Sequence, residues 1–481
     1  MSSSPAANSA LDRARAKAYV RLLPLLFACY VIAYVDRVNV GFAKLNMQID
    51  LGPAGFTEGV FGFGMGIFFI GYLLLEIPGT LLVEHWSARK WISRIMISWG
   101  IIAALTAFVK TPFQFYGVRF LLGLAEAGFF PGVIVYLTHW FPRRDRTKAL
   151  SFFFIGTPIA QILSPPLSEM LMGIGTDEVV NQGASRITVH HPEFLGMEGW
   201  QWVFIAWGIP AVLLGVIVFF YLTDRPKHAR WLSDEERKAL EDELAREKAE
   251  QRATGGHMTI LQALSNPKIL LLAAAYFFVV TGNYGVELYM ASILKDWYNL
   301  VVKNVAYLII IPPIGSLIGQ IFVGWNSDRT QERRWHATLP IIFGAIGLAL
   351  APLLRLPTPV VTVLLFTCAM TGLKAYLPAF WALPSLLMTE SAAAASIGLI
   401  NSFGNLGGWI GPSVVGAVKE HYDNMAKAAP TEAAREAIRD AGYNYGIWFL
   451  AASMVISAVI ILCLGIGHRP TATAPDSPRK S

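Results

Sequence analysis

The sequence predicts an all-helical membrane protein, with twelve transmembrane helices in two pseudo-symmetric six-helix halves. Three observations predict it. Of 481 residues, 54% are hydrophobic and only 15% charged, against ~25% charged in an average soluble domain. The apolar residues form twelve runs of spanning length from one end of the chain to the other. The Lys and Arg between the runs are distributed unequally over the two faces, as membrane orientation requires.

A spanning helix needs about 20 apolar residues, so twelve take roughly 240. That content excludes a soluble enzyme. It also excludes one anchor carrying a globular domain, because the runs never stop. A β-barrel would alternate apolar and polar residues within strands of about 10, and these runs are continuous. Cys29, Cys368 and Cys463 all lie in apolar segments and read as small core residues. The first 21 residues are polar and no short cleavable signal follows, so the first helix is expected to be retained. The +6 net charge is a matter of loop placement and gives no reason to expect nucleic acid as a partner.

In order, the runs are 22–44, 59–83, 92–109, 113–138, 149–172 and 201–222, then 269–294, 305–325, 337–354, 359–387, 395–418 and 444–466. The expected organisation is a half at 1–222, a cytoplasmic linker at 223–266 and a second half at 267–481. Ser233-Asp234-Glu235-Glu236 opens a short linker helix with a capping sequence, read as a solvated connector. With both termini cytoplasmic, 26 Lys and Arg fall inside and about 10 outside. Only Arg37, Arg119 and Lys374 are then left within helices. A weak repeat links Gly79 to Trp91 with Gly324 to Trp335: a glycine, an acid, a basic pair, then Trp. Duplicated halves with a mid-membrane site between them are common in secondary transporters.

These loops resemble the acidic–basic loop motif of the major facilitator superfamily. The second copy, with Asp328, Arg329 and Arg333, matches better than the first, with Glu84 and Arg89. Within the superfamily the chain resembles the anion:cation symporter family. The matching residues are Tyr34-Val35-Asp36-Arg37-Val38-Asn39, Gly71-Tyr72, Glu76-Ile77-Pro78, Arg119 to Gly123, Glu126 to Gly132, Phe380-Trp381-Ala382-Leu383-Pro384 and Asn401 to Gly408. The resemblance implies the major facilitator fold, residence in a bacterial inner membrane and a monomer. It also implies transport of a small organic anion such as tartrate, phthalate, hydroxyphenylacetate, nicotinate or a sugar acid.

Ionisable residues inside a membrane are functional candidates by default. Burial favours a neutral acid and an adjacent cation favours the carboxylate, so Asp36 and Glu126 can switch between protonated and paired states. Protonation would free an arginine, whose fork suits a substrate carboxylate. The resemblance gives Asp36 and Glu126 proton coupling, and Arg37 and Arg119 substrate binding. Seven positions separate Arg119 from Glu126, which puts them on one face about 10 Å apart. Against these roles stands a static network that only fixes packing. Tyr72 is either a hydrogen-bond donor to substrate or a packing ring, and Glu76 reads as structure or gating.

The second half departs from the family pattern at Glu287 and Lys374. They form either a mutual structural pair or a specialised site, with Lys374 a second cation opposite Arg37 that would suit a dicarboxylate. Asn401 and Asn405, four apart on one face, are candidates for substrate contact or for packing among glycines. Trp381 is a candidate cavity wall. His190 and His191 have no third metal ligand at a diagnostic spacing and read as a solvated loop. Gly62 to Gly66 lies in a helix with no strand before it, so it is not a nucleotide loop. No Walker motif is present. The expected function is therefore proton-driven import of a dicarboxylate or aromatic acid, with the proton as coupling ion and no other cofactor, metal or covalent chemistry. An exchanger, an exporter or a sugar-acid symporter of the same fold is the alternative.

Overall fold

The computed structural model describes the backbone of residues 5–142, 145, 149, 152–175, 177–182, 185–190, 192–254, 266–330, 332–387 and 390–466. Within those, the side chains of residues 5–9, 77, 79–85, 177–190, 248, 250–254, 328, 385–387 and 390–398 are not described.

The first helices are α1 (Pro5–Leu51), α2 (Glu58–His85), α3 (Ala88–Leu105), α4 (Pro112–Glu126), α5 (Phe129–Thr138), α6 (Gly156–Met172) and α7 (Gly199–Tyr221). The linker carries α8 (Asp234–Thr254). Then follow α9 (Pro267–Tyr298), α10 (Val302–Leu308), α11 (Ile311–Thr330), α12 (Arg334–Leu350), α13 (Val360–Ala375), α14 (Leu377–Leu387), α15 (Glu390–Lys427) and α16 (Glu432–Cys463). Among the described residues, nine helical segments are long and apolar enough to cross a membrane. The three other expected spans correspond to α6 and α12, each 17 residues, and to α15. Large apolar side chains such as Phe113, Phe220, Ile318 and Phe343 stay exposed, as a lipid-facing surface requires.

Three spans are built from two helical pieces. The fourth breaks between α4 and α5, where Gly128 takes φ 82°. Such a left-handed turn costs a side chain dearly and a glycine little. The tenth breaks at Tyr376, between α13 and α14. The eighth is divided between α10 and α11. The first two breaks place Glu126 and Lys374 at the last turn of a helix within the membrane.

The helices before the linker pack mainly on one another, α3 on α7 and α2 on α4, and those after it likewise, α9 on α15 and α11 on α13. The two sets meet where α2 lies on α15, α1 on α9, and α6 on α10 and α11. The α2–α15 approach is backbone to backbone: a Cβ on Gly62 would stand 2.6 Å from the Pro412 carbonyl oxygen, and one on Gly416 2.6 Å from that of Glu58. The glycines of 62–66 therefore serve helix packing.

Three expectations change. The first helix continues past residue 44 to Leu51, and Lys44, counted above with the outside loops, is fully buried and paired with Glu58 at 2.5 Å. Its charge is neutralised internally, so it need not reach water. The loop near 175–199, expected to be an irregular solvated loop, holds an antiparallel hairpin, β1 (Asp177–Gln182) and β2 (Ser185–His190), within the all-helical fold. Asp177 pairs with His190 at one end of the ladder and Gln182 with Ser185 at the other. The linker is docked at its start. Ser233 and Glu236 form the expected capping box, but Glu236 is buried and bonded by Lys17 of α1 at 2.7 Å. That hydrogen bond lowers the Glu236 carboxyl below its ordinary range. Trp231 stacks on Trp140, and Asp224 accepts from the Arg89 backbone at 2.8 Å.

Candidate functional site

The candidate residues gather along the seam between the two helix sets. Arg37 of α1 is ion-paired with Glu126 of α4. The helix break explains the pairing. A carboxylate at a helix C-terminus faces the negative end of the dipole, and Arg37 offsets that cost. Arg37 also donates to the Tyr284 hydroxyl of α9 at 3.1 Å. Its guanidinium lies 5.2 Å from the Tyr72 ring and 5.4 Å from that of Phe68. Tyr72 is thus a buried platform beneath the cation.

Asp36, one residue earlier, points elsewhere. It accepts from the Trp99 indole of α3 and from Asn39 at 3.4 Å, inside the first helix set. Adjacent helix positions diverge by ~100°, so one dipeptide serves two environments. Arg119 is buried with its guanidinium 5.2 Å from the Phe68 ring centre, within electrostatic range of Asp36 and Glu126. Its Nε and Nη1 have no hydrogen-bond partner among the described residues, which leaves a desolvated cation with spare donors.

A second ion pair comes from the other set. Lys374 of α13 meets Glu287 of α9 at 2.7 Å. Tyr34 of α1 bridges it: its hydroxyl lies 2.8 and 3.0 Å from the Glu287 oxygens, and Lys374 donates to it at 3.2 Å. A third seam contact joins Glu76 of α2 to the side-chain amides of Asn401 at 2.5 Å and Asn405 at 3.3 Å on α15. Both asparagines are thus directed at a carboxylate of the opposite set. Trp381 stands half-buried, edge-on to Tyr276 with centroids 5.0 Å apart.

The loop motifs lie away from this seam. Arg89 rests over Phe219 and Arg329 over Trp325. Arg333 donates to Ser327 at 2.9 Å. The side chains of Glu84 and Asp328 lie outside the described residues, as do those of His190 and His191.

Sequence reasoning did not select Tyr34, Tyr284, Trp99 or the Lys44–Glu58 pair as site residues. Tyr34 and Tyr284 each stand three positions before a candidate charge, Arg37 and Glu287, a spacing that shares a helix face. That spacing was the available signal. Trp99 carried none, since a lone Trp in an apolar helix is ordinary packing.

Seen as chemistry, the seam holds cations that can grip carboxylates, acids that can exchange a proton for a cation, and polar bonds that cross between the two helix sets. Comparison with known proteins gives the family. The family model described as Major Facilitator Superfamily matches residues 26–412. An Agrobacterium vitis protein named "Putative tartrate transporter" is 39% identical over 98% of each chain. The Escherichia coli "Inner membrane transport protein RhmT" is 35% identical over 96% of this chain and 98% of its own. A solved structure of a bacterial homolog of the human lysosomal transporter Spinster shares the fold, with a TM-score of 0.70 at 17% identity, covering 93% and 97% of the two chains.

Proposed function

Since the chain belongs to the major facilitator superfamily, we propose that it imports a small organic carboxylate by proton symport with alternating access. The import runs across a bacterial inner membrane, with both chain termini in the cytoplasm and the 1–222 and 267–481 halves rocking about the seam. The observation that carries this reading is the Arg37–Glu126 pair, its acid buried and its cation half-buried and touched by Tyr284 from the opposite helix set. A carboxylate substrate competes with Glu126 for the guanidinium. It wins when Glu126 takes a proton, because the acid then no longer needs the cation. Arg119, with its spare donors, strengthens the positive field on that side. Asp36 is the second proton-coupling candidate, acting from within the first set through Arg119. The tartrate-named relatives support a dicarboxylate.

The test is uptake into proteoliposomes with acid outside and alkali inside, over tartrate, phthalate, hydroxyphenylacetate, nicotinate and a sugar acid. Accumulation of one compound, abolished by a protonophore, is the expected result. Exchange against preloaded compound without uphill accumulation in the wild type would replace symport by antiport. Glu126→Gln should lose accumulation and keep exchange. Uphill accumulation retained in that variant would remove Glu126 from the coupling role.

A further inference from the structure

Two ion pairs face the seam, and they are related by position and opposite in sense. In the first set, the first span supplies the cation, Arg37, and the fourth supplies the acid, Glu126, at its break. In the second set, the seventh span supplies the acid, Glu287, and the tenth supplies the cation, Lys374, at its break. Each helix of the first and seventh spans carries a tyrosine three residues earlier. Each tyrosine crosses the seam to the other pair: Tyr34 reaches Glu287 and Tyr284 reaches Arg37. The groups around Glu287 are thus Tyr34 from α1, Lys374 from α13 and Tyr284 from α9 itself, with Arg37 and Glu126 beyond Tyr284.

We propose that Glu287–Lys374 is a second proton-for-anion exchange couple, inverted in sense, and that it makes the site selective for a substrate with two carboxylates. The proposal rests on the organic-anion reading above. At rest the four charges cancel. When each glutamate takes a proton, Arg37 and Lys374 remain as two cations on opposite walls. A dicarboxylate supplies one negative charge to each and restores neutrality. A monocarboxylate leaves one cation buried without a partner, which is strongly unfavourable. Tyr34 then has a defined part: it holds Glu287 when ionised, and it is the group from the other helix set that Lys374 already touches at 3.2 Å.

The plain alternative is a structural ion pair that only ties α9 to α13. The two predict different outcomes for removing both partners. A structural buried pair replaced by neutral residues of similar size is often harmless. A functional couple so replaced stays lost. The experiment compares tartrate with threonate, in which one carboxylate becomes a hydroxymethyl group. Uptake and proton flux are measured in proteoliposomes for the wild type, Lys374→Met and the double variant Glu287→Gln/Lys374→Met.

The expected result has four parts. Wild type prefers tartrate. Lys374→Met loses tartrate uptake by about 30-fold or more, the effect of removing one member of a buried charge pair. The double variant remains defective for tartrate, and now takes threonate at least as well. Its proton-to-substrate ratio falls by one. Recovery of tartrate uptake and of the wild-type proton ratio in the double variant would overturn the proposal and leave a structural pair. Wild-type preference for threonate over tartrate would overturn it as well. Wild-type silence on both compounds and on every other anion of the panel would overturn the organic-anion reading itself, a result distinct from the other two.

Discussion

The seam has two regions built on different physics. Near the α1–α2 connection it is held by close backbone approach and shielded charge. Gly62 and Gly416 sit against each other's helices, Lys44 and Glu58 are buried together, and Lys295 donates to the Leu45 carbonyl at 2.9 Å. Midway along, the cross-seam contacts are side-chain hydrogen bonds involving ionisable groups: Tyr34 to Glu287, Arg37 to Tyr284, and Asn401 to Glu76. The first region is sensitive to volume and the second to charge. A carrier needs both. A tight closure excludes leak, and an electrostatic centre lets the cargo decide when the closure opens.

That comparison is broken most severely at the centre. Arg37→Ala leaves Glu126 buried without its cation and removes the proposed substrate grip, so active uptake should fall by about 30-fold or more, with the protein still inserted and monodisperse in detergent. Uptake at the wild-type rate would move the binding centre away from this pair. At the tight region, Gly416→Val should act through shape alone. Its side chain meets the Glu58 carbonyl oxygen, the Tyr289 hydroxyl and the Gly62 backbone, so α2 and α15 must separate there. Overpacking costs typically ~1–3 kcal/mol, enough to shift the balance of conformations by about fivefold or more. A cysteine placed near that end should then label faster with a membrane-impermeant thiol reagent. Unchanged labelling would show that the closure does not depend on this contact.

The smallest effect belongs to neither region. Asp224 accepts from the Ser87 hydroxyl and the Arg89 backbone at the start of α3. Asp224→Ala should cost about 1 kcal/mol, as losing a helix cap does, and lower the aggregation midpoint in detergent by about 1 °C with transport intact. Loss of transport at full stability would instead make the linker junction part of the moving machinery.

Much of this was legible in the sequence because lipid simplifies the problem. Every backbone group must be satisfied within its own helix, so runs of apolar residues translate directly into spans. The charges at Arg37, Arg119, Glu126, Glu287 and Lys374 stood out for the same reason. What could not be read was partnership. Arg37 chooses Glu126 over the adjacent Asp36 because a helix break brings Glu126 to it, and no spacing along the chain encodes that break's geometry. Lys44 was misplaced because an internally paired charge looks, in one dimension, like a helix end. The hairpin at 177–190 was passed over because its polar, charged strands resemble a loop by composition.

The length of α1 has one further consequence. Its 47 residues correspond to roughly 70 Å at 1.5 Å per residue, more than twice the ~30 Å of bilayer hydrocarbon. Arg37 lies well along this rod, and Lys17, bonded to the linker's Glu236, lies 20 positions before it, roughly 30 Å away. Pro24 removes one backbone hydrogen bond between Lys17 and Arg37; were the helix to tilt as one body about Arg37, it would act as a lever. A tilt of ~10° there would swing the Lys17 end by about 5 Å, and the docked start of the linker would travel with it. A distance between spin labels on the linker and on α16 would then report that tilt.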